Sequence, residues 1–138
     1  MSIFIGIILA IAIGLIATLA GLDRERAFYP AVLLVVASYY ALFAVLGESP
    51  HALIAECGVT ILFVALAIIG FRSSLWLVVA GLLAHGVFDC VHGLLIVNPG
   101  VPKWWPAFCL SYDAVAAAYL ATILVRARVR ATSPVNSN

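Results

Sequence analysis

Five apolar runs fill nearly the whole chain, each about the 20 residues that a helix needs to cross a hydrocarbon layer. They cover residues 3–22, 27–46, 52–71, 75–97 and 107–125. Of 138 residues, 66% are hydrophobic and 9% charged, where a soluble domain carries about 25% charged residues. Such a composition cannot furnish a water-facing exterior. The expected fold is an all-α integral membrane protein, a five-transmembrane-helix bundle whose solvent is the lipid bilayer. The formal net charge of +1 comes with no basic patch, which excludes nucleic acid as a partner.

The breaks between runs are short and chemically clear. Asp23–Arg26 is a charged turn, Gly47–His51 (GESPH) holds turn formers, and Phe71–Ser74 (FRSS) is a polar hairpin. Asn98–Pro106 (NPGVPKWWP) is rich in proline and glycine. Residues 1–130 therefore read as a single transmembrane domain, and 131–138 as a flexible polar tail. Thr18-Leu19-Ala20 has the small residues of a signal cleavage site, but Arg24 and Arg26 follow the apolar run instead of preceding it. The first span is expected to be retained, with its N-terminus outside.

Orientation follows from the distribution of basic residues. With five spans, the first turn, the third turn and the C-terminus share one side, which carries Arg24, Arg26, Arg72, Arg126, Arg128 and Arg130. The other side carries only Lys103. The arginine side is expected to be cytoplasmic, with Trp104 and Trp105 anchoring the outer interface of a multi-pass protein in the inner (plasma) membrane.

The first span has no ionisable side chain. Its small residues Gly6, Ala10 and Gly14 recur every fourth position, a ridge that suits close helix contact and is expected to join a homo-oligomer or a larger membrane complex. The three cysteines, Cys57, Cys90 and Cys109, form no CxxC pair and read as small apolar packing residues.

Three acids break the apolar pattern from inside the spans: Glu56, Asp89 and Asp113. His85 and His92 join them, and His51 sits at the outer boundary. An ionisable residue at mid-bilayer costs at least ~2.5–3.5 kcal/mol on insertion scales, and so marks a functional site by default. At about 1.5 Å per residue, Glu56 lies roughly 6 Å into the third span from its outer end. By the same measure His92, Asp89 and His85 lie about 7, 12 and 18 Å into the fourth, and Asp113 about 9 Å into the fifth. All five are expected in one outer-half cavity, with Tyr39, Tyr40, Tyr112, Trp104 and Trp105 supplying its substrate-binding wall. In AHGVFDCVHG the spacings of four and three place His85, Asp89 and His92 within about 60° of one helix face. Cys109 and Asp113 share a face of the fifth span.

Several functions fit these residues. In the first, a carboxyl in low dielectric keeps its proton and acts as general acid toward a lipophilic small molecule, with a histidine or second carboxylate as base. Asp89 and Asp113, the deepest carboxyls, are the acid and base candidates. His85 and His92 relay protons, Glu56 tunes the mouth, and aromatic faces steady a developing cation. No cofactor is needed. The set is similar in kind to small integral-membrane sterol isomerases and terpenoid cyclases. In the second, His85, Asp89 and His92 hold zinc or iron, and a metal-bound water hydrolyses a lipid amide or ester. The His and Asp content resembles the ceramidase and progestin-receptor-like membrane hydrolases, which have seven spans where this chain has five. Against both stands a purely structural use, in which hydrogen bonds between spans contribute ~0.6 kcal/mol each. A subunit of a proton- or ion-coupled carrier is the remaining class.

The stretches FYPAVLLVVASYYALFAV, HGVFDCVH and PKWWPAFCLSYDAVAAAYL together resemble a family of small bacterial multi-span integral membrane proteins. That resemblance implies a helical membrane fold and brings no activity, cofactor or ligand with it.

Overall fold

A computed structural model describes residues 1–132. They form α1 (Ser2–Ala20), α2 (Phe28–Leu46), α3 (Pro50–Arg72), α4 (Leu75–Leu95) and α5 (Trp105–Thr132), with one 3₁₀ turn at Leu22–Arg24. All five helices are long and apolar enough to cross a membrane, and no strand occurs among the described residues. Helix α5 departs most from the apolar pattern, running through Arg126 and Arg128 to Thr132 instead of stopping at Val125. Arginine is a good helix former, and neither glycine nor proline intervenes. The tail predicted from residue 131 lies, beyond Thr132, outside the described residues.

Local chemistry sets the helix ends. Gly21 closes α1 in the left-handed conformation, φ 76°, and its amide reaches the carbonyls of Ala17 and Thr18, a geometry that side chains with a Cβ resist. Ser49 caps α3 by accepting from the Ala52 amide at 3.3 Å, with Pro50 in the first turn. Arg26 spans two connections, donating to the carbonyls of Phe71 and of Ser73 (2.7 Å) at the end of α3. The first and third turns therefore meet at one end of the bundle, the arginine end. At the opposite, tryptophan end, the α2–α3 turn packs on the α4–α5 connection. There a side chain on Gly100 would collide with the Phe43 carbonyl.

Around the bundle the helices run α1, α5, α4, α3, α2, and α2 also touches α4. The central α4 buries Val78, Leu82, His85, Asp89 and His92 along one face. The arginine-end half of the core is apolar, built on Leu33, Ala67, Val78, Leu82, Ala117 and Leu120. On the outside, Ile8, Leu15, Ile54, Ile61, Leu62 and Leu94 are exposed. A bilayer is the solvent that would cover such a surface.

The small-residue ridge of α1 corrects one expectation. Gly6, Ala10 and Gly14 are buried within the chain. A side chain at Gly6 would strike the Phe108 carbonyl and the Ser111 hydroxyl, and one at Gly14 would meet the Tyr119 ring. The ridge brings α1 against α5 and is not free for a second subunit. The contact is pinned by Ser111 Oγ donating to the Ile3 carbonyl at 3.0 Å and by Thr18 and Tyr119, whose hydroxyls lie 2.8 Å apart.

Because α1 packs on α5, it does not close on α2. A cleft of ≈ 500 Å³ runs between them, lined by Leu9, Val32, Tyr39, Trp105, Cys109 and Tyr112 among others. At the tryptophan end, Tyr39 and Phe43 of α2 both meet the Trp105 ring, each at a centroid distance of 4.8 Å. Leu9 and Val35 on its lining are exposed, so the cleft reaches the outer surface between α1 and α2.

Candidate functional site

One face of α4 distributes its polar residues between two neighbours. His92, nearer the tryptophan end, pairs through Nε2 with Glu56 Oε1 of α3 at 2.6 Å. His85, two turns deeper, pairs through Nδ1 with Asp113 Oδ2 of α5 at 2.6 Å. Asp89 lies between them, its Oδ2 3.7 Å from His85 Nδ1. The five ionisable residues are thus together, all between 0% and 2% exposed.

Tyr40 of α2 joins the two halves. Its hydroxyl donates to Asp89 Oδ1 at 2.7 Å. Its ring stacks on His92 at 3.9 Å with the planes 18° apart. Its carbonyl accepts from Asn98 Nδ2 at 3.0 Å. Tyr40 was expected on a pocket wall and stands instead at the centre of the network. Asn98 also donates to Glu56 Oε1 at 2.9 Å, and its own Oδ1 accepts the Gly100 amide at 3.2 Å. Phe63 of α3 sets its edge against the His85 ring, 4.9 Å between centroids.

Cys109, one turn from Asp113 on α5, completes the deeper half. Donor atoms of His85, Asp89, Cys109 and Asp113 all lie within 4.8 Å of one another, a group able to hold a metal ion. His92, assigned with His85 and Asp89 to a metal on helix spacing, stands outside that group because it turns toward α3. A shared helix face fixes direction to within a sector, and here α3 and α5 divide the sector.

Donors and acceptors in the network do not balance. Asp89 Oδ2, Asp113 Oδ1 and Glu56 Oε2 are buried without a hydrogen-bond partner. In the half nearer the tryptophan end one carboxyl meets one imidazole. In the deeper half two carboxyls meet one, so a protonated His85 would still leave one negative charge to be neutralised by a proton or a cation. Leaving it bare in so buried a site is prohibitive.

The side chains expected around one cavity do not themselves enclose the cleft. They pack against one another, and the neighbouring cleft is apolar. Cys109 belongs both to the cluster and to the cleft lining, and Tyr112, buried and one residue from Asp113, lines the cleft beside it. Tyr39 and Trp105 line the cleft as well. Trp104 does not: it is 54% exposed and lies against Trp105 and Phe108. His51 is exposed at the tryptophan end.

Two participants escaped the sequence reading. Asn98 stands in a turn of prolines and glycine, where an asparagine reads as a turn former. Cys109 was assigned to packing, although its spacing of four from Asp113 was a usable signal. No known protein family, characterised protein or solved structure matches this chain, and its chemistry is read from its own residues.

Proposed function

We propose that the chain is an integral membrane protein that transfers protons to and from a lipophilic molecule entering sideways from the bilayer, in the manner of an isomerase or cyclase. One observation carries this reading: a buried cluster with two carboxyls per imidazole shares Cys109 with the lining of an apolar cleft of ≈ 500 Å³. Interhelical glue needs only balanced pairs, as Glu56 and His92 provide. An unbalanced cluster holds a proton it can give up.

Asp89 and Asp113 are the acid and base candidates. His85 shares the Asp113 proton, and Tyr40 fixes the Asp89 carboxyl by donating to one of its oxygens. Glu56, His92 and Asn98 are positioning residues that hold Tyr40 from its other side. Tyr39, Trp105 and Tyr112 present ring faces to the ligand, where they would steady a developing cation. The basic residues support an orientation with the arginine end in the cytoplasm and the tryptophan end outside.

Isotope exchange tests the chemistry without a known substrate. Purified, chelator-treated protein is incubated in D₂O with vesicles of the total lipid extract of its source membrane, and the lipids are analysed by mass spectrometry. One lipophilic component is expected to gain deuterium at carbon. Asp89→Asn and Asp113→Asn are each expected to slow that gain by roughly 10²-fold or more. No deuterium above the protein-free control, or wild-type rates in both variants, would overturn the reading.

A further inference from the structure

We infer that His85, Asp89, Cys109 and Asp113 form a binding site for one divalent transition-metal ion, with zinc the ion that the donor set fits best. The site offers an imidazole nitrogen, a thiol sulfur and two carboxylate oxygens, all buried and within 4.8 Å of one another. Zinc accepts all three donor types in tetrahedral sites, with bonds of about 2.0–2.3 Å, which place neighbouring donors roughly 3.3–3.8 Å apart. His85 Nδ1 and Asp89 Oδ2 are already 3.7 Å apart. His85 and Asp113 are closer, at 2.6 Å, because a proton joins them, and an ion taking that proton's place would part them by about 1 Å.

A second observation points to the same place. Asp89 Oδ2 has no hydrogen-bond partner although the residue is only 2% exposed. Tyr40 holds the other oxygen, Oδ1, and so leaves Oδ2 on the His85 side, where a metal ligand belongs. A hydrogen bond of this kind, from an outer residue to a ligating carboxylate, commonly orients metal ligands. Asp113 Oδ1 is unpartnered as well, in a residue 0% exposed. A dication offsets two of the three negative charges that Asp89, Asp113 and the Cys109 thiolate bring, the Tyr40 hydroxyl steadies the Asp89 carboxylate, and Cys109 adds the soft donor that separates zinc from magnesium or calcium.

The binding claim stands apart from the proton-transfer reading. An ion and the transferable proton compete for the same atoms, so a metal-loaded protein would be silent in the isotope assay while still binding in the assay below.

The probe is cobalt(II) alone, added to chelator-treated full-length protein in detergent. A Cys57→Ser, Cys90→Ser background removes the two exposed cysteines and leaves Cys109 as the only thiol. One equivalent of cobalt is expected to bind, with the visible bands of a tetrahedral ion and a thiolate-to-cobalt absorption in the near ultraviolet, and zinc is expected to displace it. Cys109→Ser should abolish the thiolate absorption, and Asp113→Asn should weaken binding by more than the roughly 10–100-fold that losing an outer-shell partner causes. His51→Ala, which removes an exposed histidine outside the four ligands, should bind as tightly as the background protein. Absence of stoichiometric cobalt, a thiolate band that survives Cys109→Ser, unweakened binding by Asp113→Asn, or binding lost equally in His51→Ala would each overturn the assignment.

Discussion

His92 and His85 lie two turns apart on the same face of α4, yet the first meets one carboxylate and the second meets two. Around His92 the contacts form a linkage. Glu56 Oε1 accepts from Asn98 as well as pairing with the imidazole, and the ring of Tyr40 covers the other side. That half ties α2, α3, α4 and the α4–α5 connection together, and its charges balance. Around His85 two acids share one imidazole and each leaves a buried oxygen without a partner, where the His92 half leaves Glu56 Oε2 alone. Helix packing requires nothing like the second arrangement. A fold that needed only adhesion between α4 and α5 would be better served by one acid, or by none.

The largest expected effect separates the two imidazoles. Replacing His85 with Phe fills the space but leaves Asp89 and Asp113 facing each other in a dry core, and should destabilise the protein by about 3–5 kcal/mol. His92→Phe leaves a single acid, Glu56, which keeps its hydrogen bond from Asn98, and should cost about 1–3 kcal/mol. Unfolding by SDS titration in mixed micelles measures both. Equal losses would mean that the two halves are energetically alike, and the contrast drawn here would fail.

Sequence logic reached part of this picture, for physical reasons that can be named. Glu56, His85, Asp89, His92 and Asp113 stand out because each interrupts an apolar run, and the cost of stranding a charge in hydrocarbon implies that they meet. Helix periodicity placed His85, Asp89 and His92 on one face. It carried no information on which neighbour each residue faces. His85 pairs with a residue 28 positions away and His92 with one 36 positions away, and those pairings depend on how α3 and α5 are rotated against α4. The ridge of α1 shows the same limit. Small residues every fourth position promise a close helix partner, but the partner is α5, at the far end of the chain. Tyr39 and Tyr40 are adjacent in sequence and alike in type, so only the packed bundle assigns one to the cleft and the other to the network.

A charge-removing pair of variants sharpens the comparison at constant shape. Glu56→Gln removes the charge that balances His92 and should cost about 1–2 kcal/mol in chelator-treated protein. Asp113→Asn removes the charge in excess, keeps an oxygen to accept from His85, and should leave stability within about 0.5 kcal/mol of wild type or raise it. The difference between the two is the measured quantity. If Asp113→Asn proved the more damaging in metal-free protein, the deeper half would be a balanced pair after all, and the argument from excess charge would not hold.

The smallest effect concerns Asn98, which closes the His92 half from the α4–α5 connection. Its amide donates to Glu56 Oε1 and to the Tyr40 carbonyl, and its oxygen accepts the Gly100 amide. Asn98 is only part-buried, so water can replace much of what Asn98→Ala removes, and the expected loss is about 1 kcal/mol. The consequence should be local. The Gly100 amide should exchange faster with solvent, and cobalt binding at the deeper half should be unchanged, because Asn98 makes no contact with His85, Asp89 or Asp113 among its hydrogen bonds. A cobalt affinity that fell in step with the Gly100 exchange rate would show that the two halves act as one unit, with Tyr40 passing the disturbance from the stacked His92 ring to the Asp89 carboxyl.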